Sequence, residues 1–255
     1  MYRIRLATFD VTNTLLKFKI PIGEEYSQIS KLYGIQSDAA QLNAAFKRQW
    51  KILNQKHPNF GATTGLAPQT WWASLIVRVF HDAGYDYLDQ KQLQAISRHL
   101  FKAYSTKVCW QMQRGTHSLL ENLAKANVQL GIISNFDNRL QSILSDVGLL
   151  PHFNFVIDSY SARVKKPSKG IFNLALDHVK HLDILPEQAV HIGNDLHVDY
   201  WGAINAGWNA LLLTKKANLS PEELKIVNPN DILNDVREAE KHILEPDVVR
   251  FRNQF

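Results

Sequence analysis

Cysteine is almost missing: the 255-residue chain carries one, Cys109. A single thiol excludes an internal disulfide and any cysteine-rich zinc site, which suits a reducing compartment. Between Val108 and Trp110 it reads as a small buried hydrophobe rather than a reactive thiol. Long apolar runs are missing too. None approaches the roughly 20 residues that a membrane helix needs, so no membrane association is expected. There is no internal repeat, low-complexity tract or heptad run, which excludes solenoid and coiled-coil architectures. Nor is charge concentrated. The formal net charge is +5, spread over pairs such as Lys17 and Lys19, Lys165 and Lys166, Lys215 and Lys216, and Arg250 and Arg252. A nucleic-acid binder gathers its cations on one stripe interleaved with aromatics, so the expected partner is a small anionic molecule and not a nucleic acid. The opening MYRIRLATFDV is too short and too soon interrupted by Asp10 to serve as a secretory signal. A cytoplasmic or nuclear protein is expected.

What is there is an alternation. RIRLATFDV, VQLGIISN, FNFVIDS, AVHIGND and NALLLT are short apolar runs rich in β-branched residues, which reads as buried strands. Helix-period segments separate the later ones: His117 to Ala126, Gln141 to Leu149, Ile171 to Val179 and Tyr200 to Ala206. Strands joined by helices of this length require right-handed crossovers, and hence a parallel sheet covered on both faces. The fold class is therefore α/β, a doubly wound, Rossmann-like core.

About ninety residues separate the first two strands. Successive helical stripes fill this insert: Tyr26, Ile29 and Tyr33; Leu42, Ala45, Phe46 and Trp50; Trp72, Leu75, Ile76 and Val79; Leu93, Ile96, Leu100 and Tyr104. The expected organisation is a core of 1–16 and 108–255 with an all-helical insertion at 17–107. A loop is expected from Gly61 to Pro68, and partial disorder from Pro246 onward.

Ligands of open parallel sheets sit beyond the carboxyl ends of the strands. Those ends carry Asp10 to Thr14, Ser134 with Asn135, and Gly193 to Asp199, while Lys166 opens the helix after the third strand. Four motifs stand in order: FDVTNTLL, IISNFD, KKPSKGIF and HIGNDLHVDYWGAINAGW. In kind and spacing they resemble the haloacid dehalogenase-like hydrolase superfamily over essentially the whole chain, and TFDVTNTLL, PNFG, TWW and ISNFD resemble one animal subgroup of it. The insert falls where that superfamily places a helical cap.

The resemblance implies a magnesium-dependent phosphohydrolase acting through an aspartyl phosphate on a small phosphorylated molecule. Asp10 would be the nucleophile, and the Ser134 hydroxyl and Asn135 backbone N–H would hold phosphate oxygens. Lys166 would offset the crowded negative charge. Asp10, Thr12, Asn194 and Asp195 would stand around the metal, with Thr14 pinning the loop and Asp199 orienting Lys166. Asn13 replaces the family's usual glycine, a swap that Asn tolerates because it accepts a left-handed backbone.

Two departures qualify this. Thr12 stands where members carry the aspartate that protonates the leaving group and activates water, a role usually worth about 10²–10⁴ in rate. Asn194 stands where they carry a metal-binding aspartate, and its amide offers oxygen without charge. A slow enzyme is expected; the alternative is a catalytically impaired binding or regulatory protein of the same fold. A third reading, dehalogenation, has only the superfamily's name behind it. His191, inside an apolar strand, is expected to be structural, and His197 is a minor candidate to replace the missing acid. Trp71 and Trp72 are expected to belong to the core of the insert.

Overall fold

The computed structural model of the chain describes residues 3–245, so the expectation about the tail from Pro246 lies outside the described residues. Along the chain run β1 (Leu6–Phe9), β2 (Leu16–Phe18), α1 (Ile22–Lys31), α2 (Ala39–Lys56), α3 (Pro68–Asp82), α4 (Gln90–Tyr104) and β3 (Trp110–Met112). Then come α5 (Thr116–Lys125), β4 (Gln129–Ser134), α6 (Leu140–Asp146), β5 (Phe155–Asp158), α7 (Ser159–Ala162), α8 (Lys169–His178) and β6 (Ala189–Gly193). A π turn (Leu196–Tyr200) leads into α9 (Trp201–Asn205), followed by β7 (Asn209–Leu213), α10 (Pro221–Ile226), β8 (Ile232–Leu233) and α11 (Glu238–Leu244).

The chain forms two compact units. One takes the described residues up to Lys17, Met112–Asn135 and those from Gly148 on; the other takes Phe18–Gln111 and Phe136–Val147. This division differs from the expected one at 136–147, and by a few residues at 17 and at 108–111. Asp137 and Arg139 of that segment hydrogen-bond and stack with Trp72 of α3, and this draws the stretch after β4 to the helices instead of the sheet.

The first unit holds a six-stranded sheet in the order β5-β4-β1-β6-β7-β8, and every pairing in it is parallel. All four residues of β1 and all five of β6 are buried, the mark of strands covered on both faces. Ile133, Ile157, Phe172, Ala203, Trp208 and Leu212 belong to one apolar cluster that supports the sheet. From β1 the chain builds outward to β4 and β5, then crosses to β6 on the opposite side of β1. That reversal makes a topological switch point at the carboxyl ends of β1, β4 and β6. The five expected strands are all present. β8, two residues long, and the two-stranded β2–β3 sheet escape a periodicity argument because they are too short to show one.

The second unit is helical apart from its share of β2 and β3. Tyr26, Leu42, Ala45, Leu75, Ile76, Val79, Ile96 and Leu100 are buried in it, as the stripes imply. Asp38 caps α2 through Gln41 N (2.8 Å), and Asp89 with Gln92 closes a capping box on α4. Trp71, not Trp72, is the fully buried member of the tryptophan pair. Asn59 and Phe60 adopt left-handed φ values of 53° and 55°. A bulky residue seldom does so, and ring contacts of Phe60 with Trp50 and Trp71, at 5.9 and 5.4 Å, hold it there. Among the described residues no helix is long and apolar enough to cross a membrane.

Candidate active site

Everything at the switch point belongs to the sheet-bearing unit. Asp10 follows β1 directly, and its backbone N–H donates to the Ile192 carbonyl (2.9 Å), carrying the ladder one residue past the strand. The chain then turns sharply. The N–H groups of Thr14, Leu15 and Leu16 all converge on the Val11 carbonyl, at 3.2, 3.0 and 2.9 Å. Asn13 supplies the left-handed residue that this turn needs, with φ 62°. Thr14 is fully buried, and its hydroxyl reaches Asn194 Oδ1 at 3.5 Å, so the loops after β1 and β6 meet through these side chains.

At the end of β4 the Ser134 hydroxyl donates to Asp10 Oδ1 (2.9 Å). The Asn135 side chain holds Lys166 by its backbone: Lys166 N–H donates to Asn135 Oδ1 (2.9 Å), and Asn135 Nδ2 donates to the Lys166 carbonyl (3.0 Å). The Lys166 ammonium is buried. Its Nζ lies 2.6 Å from Asp199 Oδ1, 2.7 Å from the Ile133 carbonyl and 2.9 Å from Asp10 Oδ1. These three contacts use the three protons of an ammonium. His191 Nε2 is a fourth neighbour at 3.3 Å, and its Nδ1 meets the Thr8 hydroxyl at 2.9 Å.

Asp199 faces the cluster because β6 ends in glycine. A Cβ on Gly193 would stand 2.3 Å from the Asp199 carboxyl, so any side chain there would displace it. The second oxygen of Asp199 accepts from Asp195 N–H (2.9 Å), and Asp195 in turn caps the π turn through His197 and Val198 N–H, at 2.9 and 2.7 Å.

The electrostatics divide the two carboxylates. Burial pushes Asp10 above its ordinary value and the charge on Asp199 pushes the same way, against Lys166. Burial would raise Asp199 as well, but Lys166 and His191 overcome it and hold this group well below the usual carboxylate range. Lys166 is pulled down by burial and raised further by Asp10 and Asp199, so it is a firm cation. Burial, aided by Lys166, takes His191 down to about 4, making it a neutral imidazole near pH 7.

The structure thus brings together Asp10, Ser134, Lys166 and Asp199, with Thr14 and Asn194 joined beside them. Thr12 is half-buried, bridges to Leu16 through its backbone, and makes no side-chain hydrogen bond to a described residue. His197 is exposed and close enough to Glu223 to act on its charge, which puts it on the surface. Sequence reasoning did not find the polar contacts of His191 or the pincer role of the Asn135 amide. The only available signal for the first is register: in the parallel ladder His191 lies opposite Thr8, two residues before Asp10.

A group of three or more His, Cys, Asp or Glu able to cage a metal is not found among the described residues. Both protein hydrogen bonds to Asp10 fall on Oδ1, leaving Oδ2 without a described partner. With Asn194 Oδ1 and the Asp195 carboxylate near the β6 end, the donors are all oxygens and few. That set fits magnesium, which keeps several waters and is completed by substrate phosphate, better than a closed protein cage.

The sequence profile of the haloacid dehalogenase-like hydrolases matches residues 4–207. The chain belongs to this family. It is 38% identical over 221 residues to the rhythmically expressed gene 2 protein of Drosophila melanogaster, covering 84% of this chain and 85% of that one. It is 36% identical over 219 residues to the haloacid dehalogenase-like hydrolase domain-containing protein 3 of Bos taurus, covering 86% and 85%. Among solved structures the fold is shared with the 2-haloacid dehalogenase from Pseudomonas syringae pv. Tomato, at TM-score 0.64, 20% identity and coverage of 96% and 98%. It is shared with the HAD phosphatase from Thermococcus onnurineus at TM-score 0.59, 21% identity and coverage of 95% and 98%. The magnesium-bound HAD-hydrolase YfnB from Bacillus subtilis has it too, at TM-score 0.65, 22% identity and coverage of 95% and 99%.

Proposed function

We propose that this family hydrolase is a slow, magnesium-dependent phosphohydrolase that passes through an aspartyl phosphate at Asp10. The observation that carries the reading is the state of the Asp10 carboxylate. Ser134 and Lys166 hold one oxygen at 2.9 Å each, and the other has no described partner at the carboxyl edge of the sheet. A fixed carboxylate with one free oxygen is suited to in-line attack.

In the first step an Asp10 oxygen attacks phosphorus, a new O–P bond forms, and the bond to the leaving group breaks with its electron pair going to that group. On this reading Lys166 and the Ser134 hydroxyl offset the charge that builds up on the phosphoryl oxygens, and Asn135 keeps Lys166 in place. In the second step water attacks phosphorus, the bond to Asp10 breaks, and inorganic phosphate leaves. Magnesium, when bound, would supply charge neutralisation for the phosphoryl group, with Asp10, Thr12, Asn194 and Asp195 around it. Because Thr12 cannot titrate near neutrality, proton transfer falls to solvent and turnover is slow. Acyl and aryl phosphates, whose leaving groups need no proton, are favoured. The helical unit is read as the cap that selects the substrate; the YfnB structure bound to magnesium reveals interdomain movement in that protein. A cytoplasmic or nuclear location completes the proposal.

The test is hydrolysis of acetyl phosphate by the purified chain, with magnesium or with chelator, beside Asp10→Asn. Turnover that requires magnesium and vanishes in the variant is the expected result. Turnover that survives in Asp10→Asn removes the nucleophile. The second reading, a binding protein, is favoured by Thr12 and Asn194 together; it predicts no native turnover, and activity only in the Thr12→Asp, Asn194→Asp double variant.

A further inference from the structure

Outside the cluster around Lys166, two imidazoles of the sheet-bearing unit face each other. His117 lies in the first turn of α5, and His152 ends the 3₁₀ turn Leu150–His152 that leads towards β5. His117 Nδ1 is 3.1 Å from His152 Nε2, with the ring centroids 5.1 Å apart and the planes crossed at 69°. His117 is exposed and His152 half-buried, so solvent reaches the pair. The reaction proposed at Asp10 uses neither residue.

The spacing is that of two ligands on one ion. Imidazole nitrogens bind zinc at about 2.0–2.1 Å, which sets two of them about 2.9–3.4 Å apart in neighbouring positions of a square-planar or tetrahedral shell. The observed 3.1 Å falls inside that range. A neutral pair shares one proton, with one ring donating and the other accepting. To take an ion, the donor ring moves that proton to its outer nitrogen, so both facing lone pairs become available and no net proton is lost. Neither outer nitrogen, His117 Nε2 or His152 Nδ1, has a described hydrogen-bond partner, so nothing holds the rings to one tautomer.

The surroundings favour ligation. A metal takes the unprotonated imidazole, and partial burial together with the neighbouring His117 lowers His152 below the ordinary histidine value. Glu121 stands one turn along α5 from His117, and its charge acts on His152 in the opposite sense, so a carboxylate faces the pair. It supplies an attraction for a cation that two neutral rings lack. Two nitrogens beside a carboxylate, with water completing the shell, suit a borderline divalent ion such as copper(II), nickel or zinc. Magnesium prefers oxygen ligands, so this pair does not compete for it. A shared ion would tie α5 to the turn ahead of β5, joining side chains 35 positions apart.

We infer that His117 and His152 form a binding site for a borderline divalent metal ion, a clip between α5 and the turn ahead of β5. The site stands independently of the phosphohydrolase reading. Zinc and copper(II) are the probes. Calorimetric titration of the full chain with zinc at neutral pH is expected to show saturable binding that excess magnesium leaves unchanged. His117→Gln and His152→Gln are each expected to weaken it at least tenfold, and Glu121→Gln severalfold. Copper(II) at one equivalent is expected to give an electron paramagnetic resonance spectrum split by two nitrogens, and to lose that splitting in either histidine variant. Because an ion that binds the folded chain stabilises it, zinc is expected to raise the urea midpoint of the native chain and not that of His152→Gln. With ten histidines in the chain, the His117→Gln, His152→Gln double variant is the control. No zinc binding to the native chain, or undiminished binding in the double variant with native circular dichroism, overturns the site. A native copper spectrum without nitrogen splitting overturns it without recourse to any variant.

Discussion

Asp10 and Asp199 share one buried ammonium, yet their neutralisation is expected to have opposite consequences. Lys166 Nζ is 2.6 Å from Asp199 Oδ1 and 2.9 Å from Asp10 Oδ1, so with both carboxylates ionised and His191 neutral the cluster carries one excess negative charge. Asp199 has its folded pKa below the ordinary 3.8, so its ionised form stabilises the fold above that value and the stabilisation is lost as pH falls through the folded pKa. Asp10 has its folded pKa above 3.8, so its contribution is present at lower pH and is lost as pH rises through the folded pKa. Where Asp10 is ionised its charge therefore weakens the fold, whereas ionised Asp199 strengthens it. Removing one partner of a buried pair costs about 3–5 kcal/mol, and because Asp10 still compensates Lys166 the Asp199→Asn loss belongs near the lower end, about 3 kcal/mol. Asp10→Asn leaves the shorter ion pair intact and removes the repulsion between carboxylates. Its expected effect is within about 1 kcal/mol of the native chain, with stabilisation the favoured sign. Urea unfolding at pH 7, followed by circular dichroism, measures both. An Asp10→Asn loss as large as that of Asp199→Asn would refute this division of roles, as would an Asp199→Asn variant as stable as the native chain.

The same repulsion acts on catalysis: in Asp199→Asn the acid limb of kcat/KM is expected to move to lower pH, since a charge that raises Asp10 is gone, and an upward shift in the pH profile would contradict it. Thr12→Asp is expected to raise kcat on alkyl phosphates by about 10²–10⁴ and to change acetyl phosphate turnover far less, because only the former needs a proton for its leaving group. Trp72→Phe removes the 2.6 Å bond to buried Asp137 and is expected to cost about 2 kcal/mol in denaturant midpoint analysis, while Arg139 keeps the carboxylate paired. Cys109 is 2% exposed, and burial together with Glu25 pushes its thiol up to about 12, so a thiol reagent at pH 8 is expected to label the folded chain about 10³-fold more slowly than the unfolded one. Fast labelling of the native chain would show that the thiol is open to solvent.

Much of the sheet was legible because its strands are buried on both faces and therefore read as continuous apolar runs. The helical insert announced itself by stripes, which is how Leu42, Leu75, Val79 and Leu100 were recognised as core positions. In the stripe through α3 Leu75, Ile76 and Val79 are buried, and only its first member differs: Trp72 is half-buried and Trp71 is the fully buried ring, because both adjacent tryptophans fit a helical period. Two short pairings, β2 with β3 and β7 with β8, left no pattern to read.

The chain's own sequence determined which residues would stand at strand ends. Periodicity places Asp10, Ser134 and Asn194 at the termini of parallel strands, and a parallel sheet gathers such termini on one edge. It also determined that no acid stands at Thr12. What it did not determine is which groups touch. That Lys166 is bound by Asp199 more closely than by Asp10, that Asn135 grips a backbone, that His191 joins the polar cluster, and that 136–147 packs with helices and closes an aromatic cavity around Arg139 are all consequences of tertiary structure. The reason is physical. Backbone periodicity depends on neighbours a few residues away, whereas contacts and pKa shifts depend on charges and rings brought together across as many as 183 positions of chain, as with Thr8 and His191.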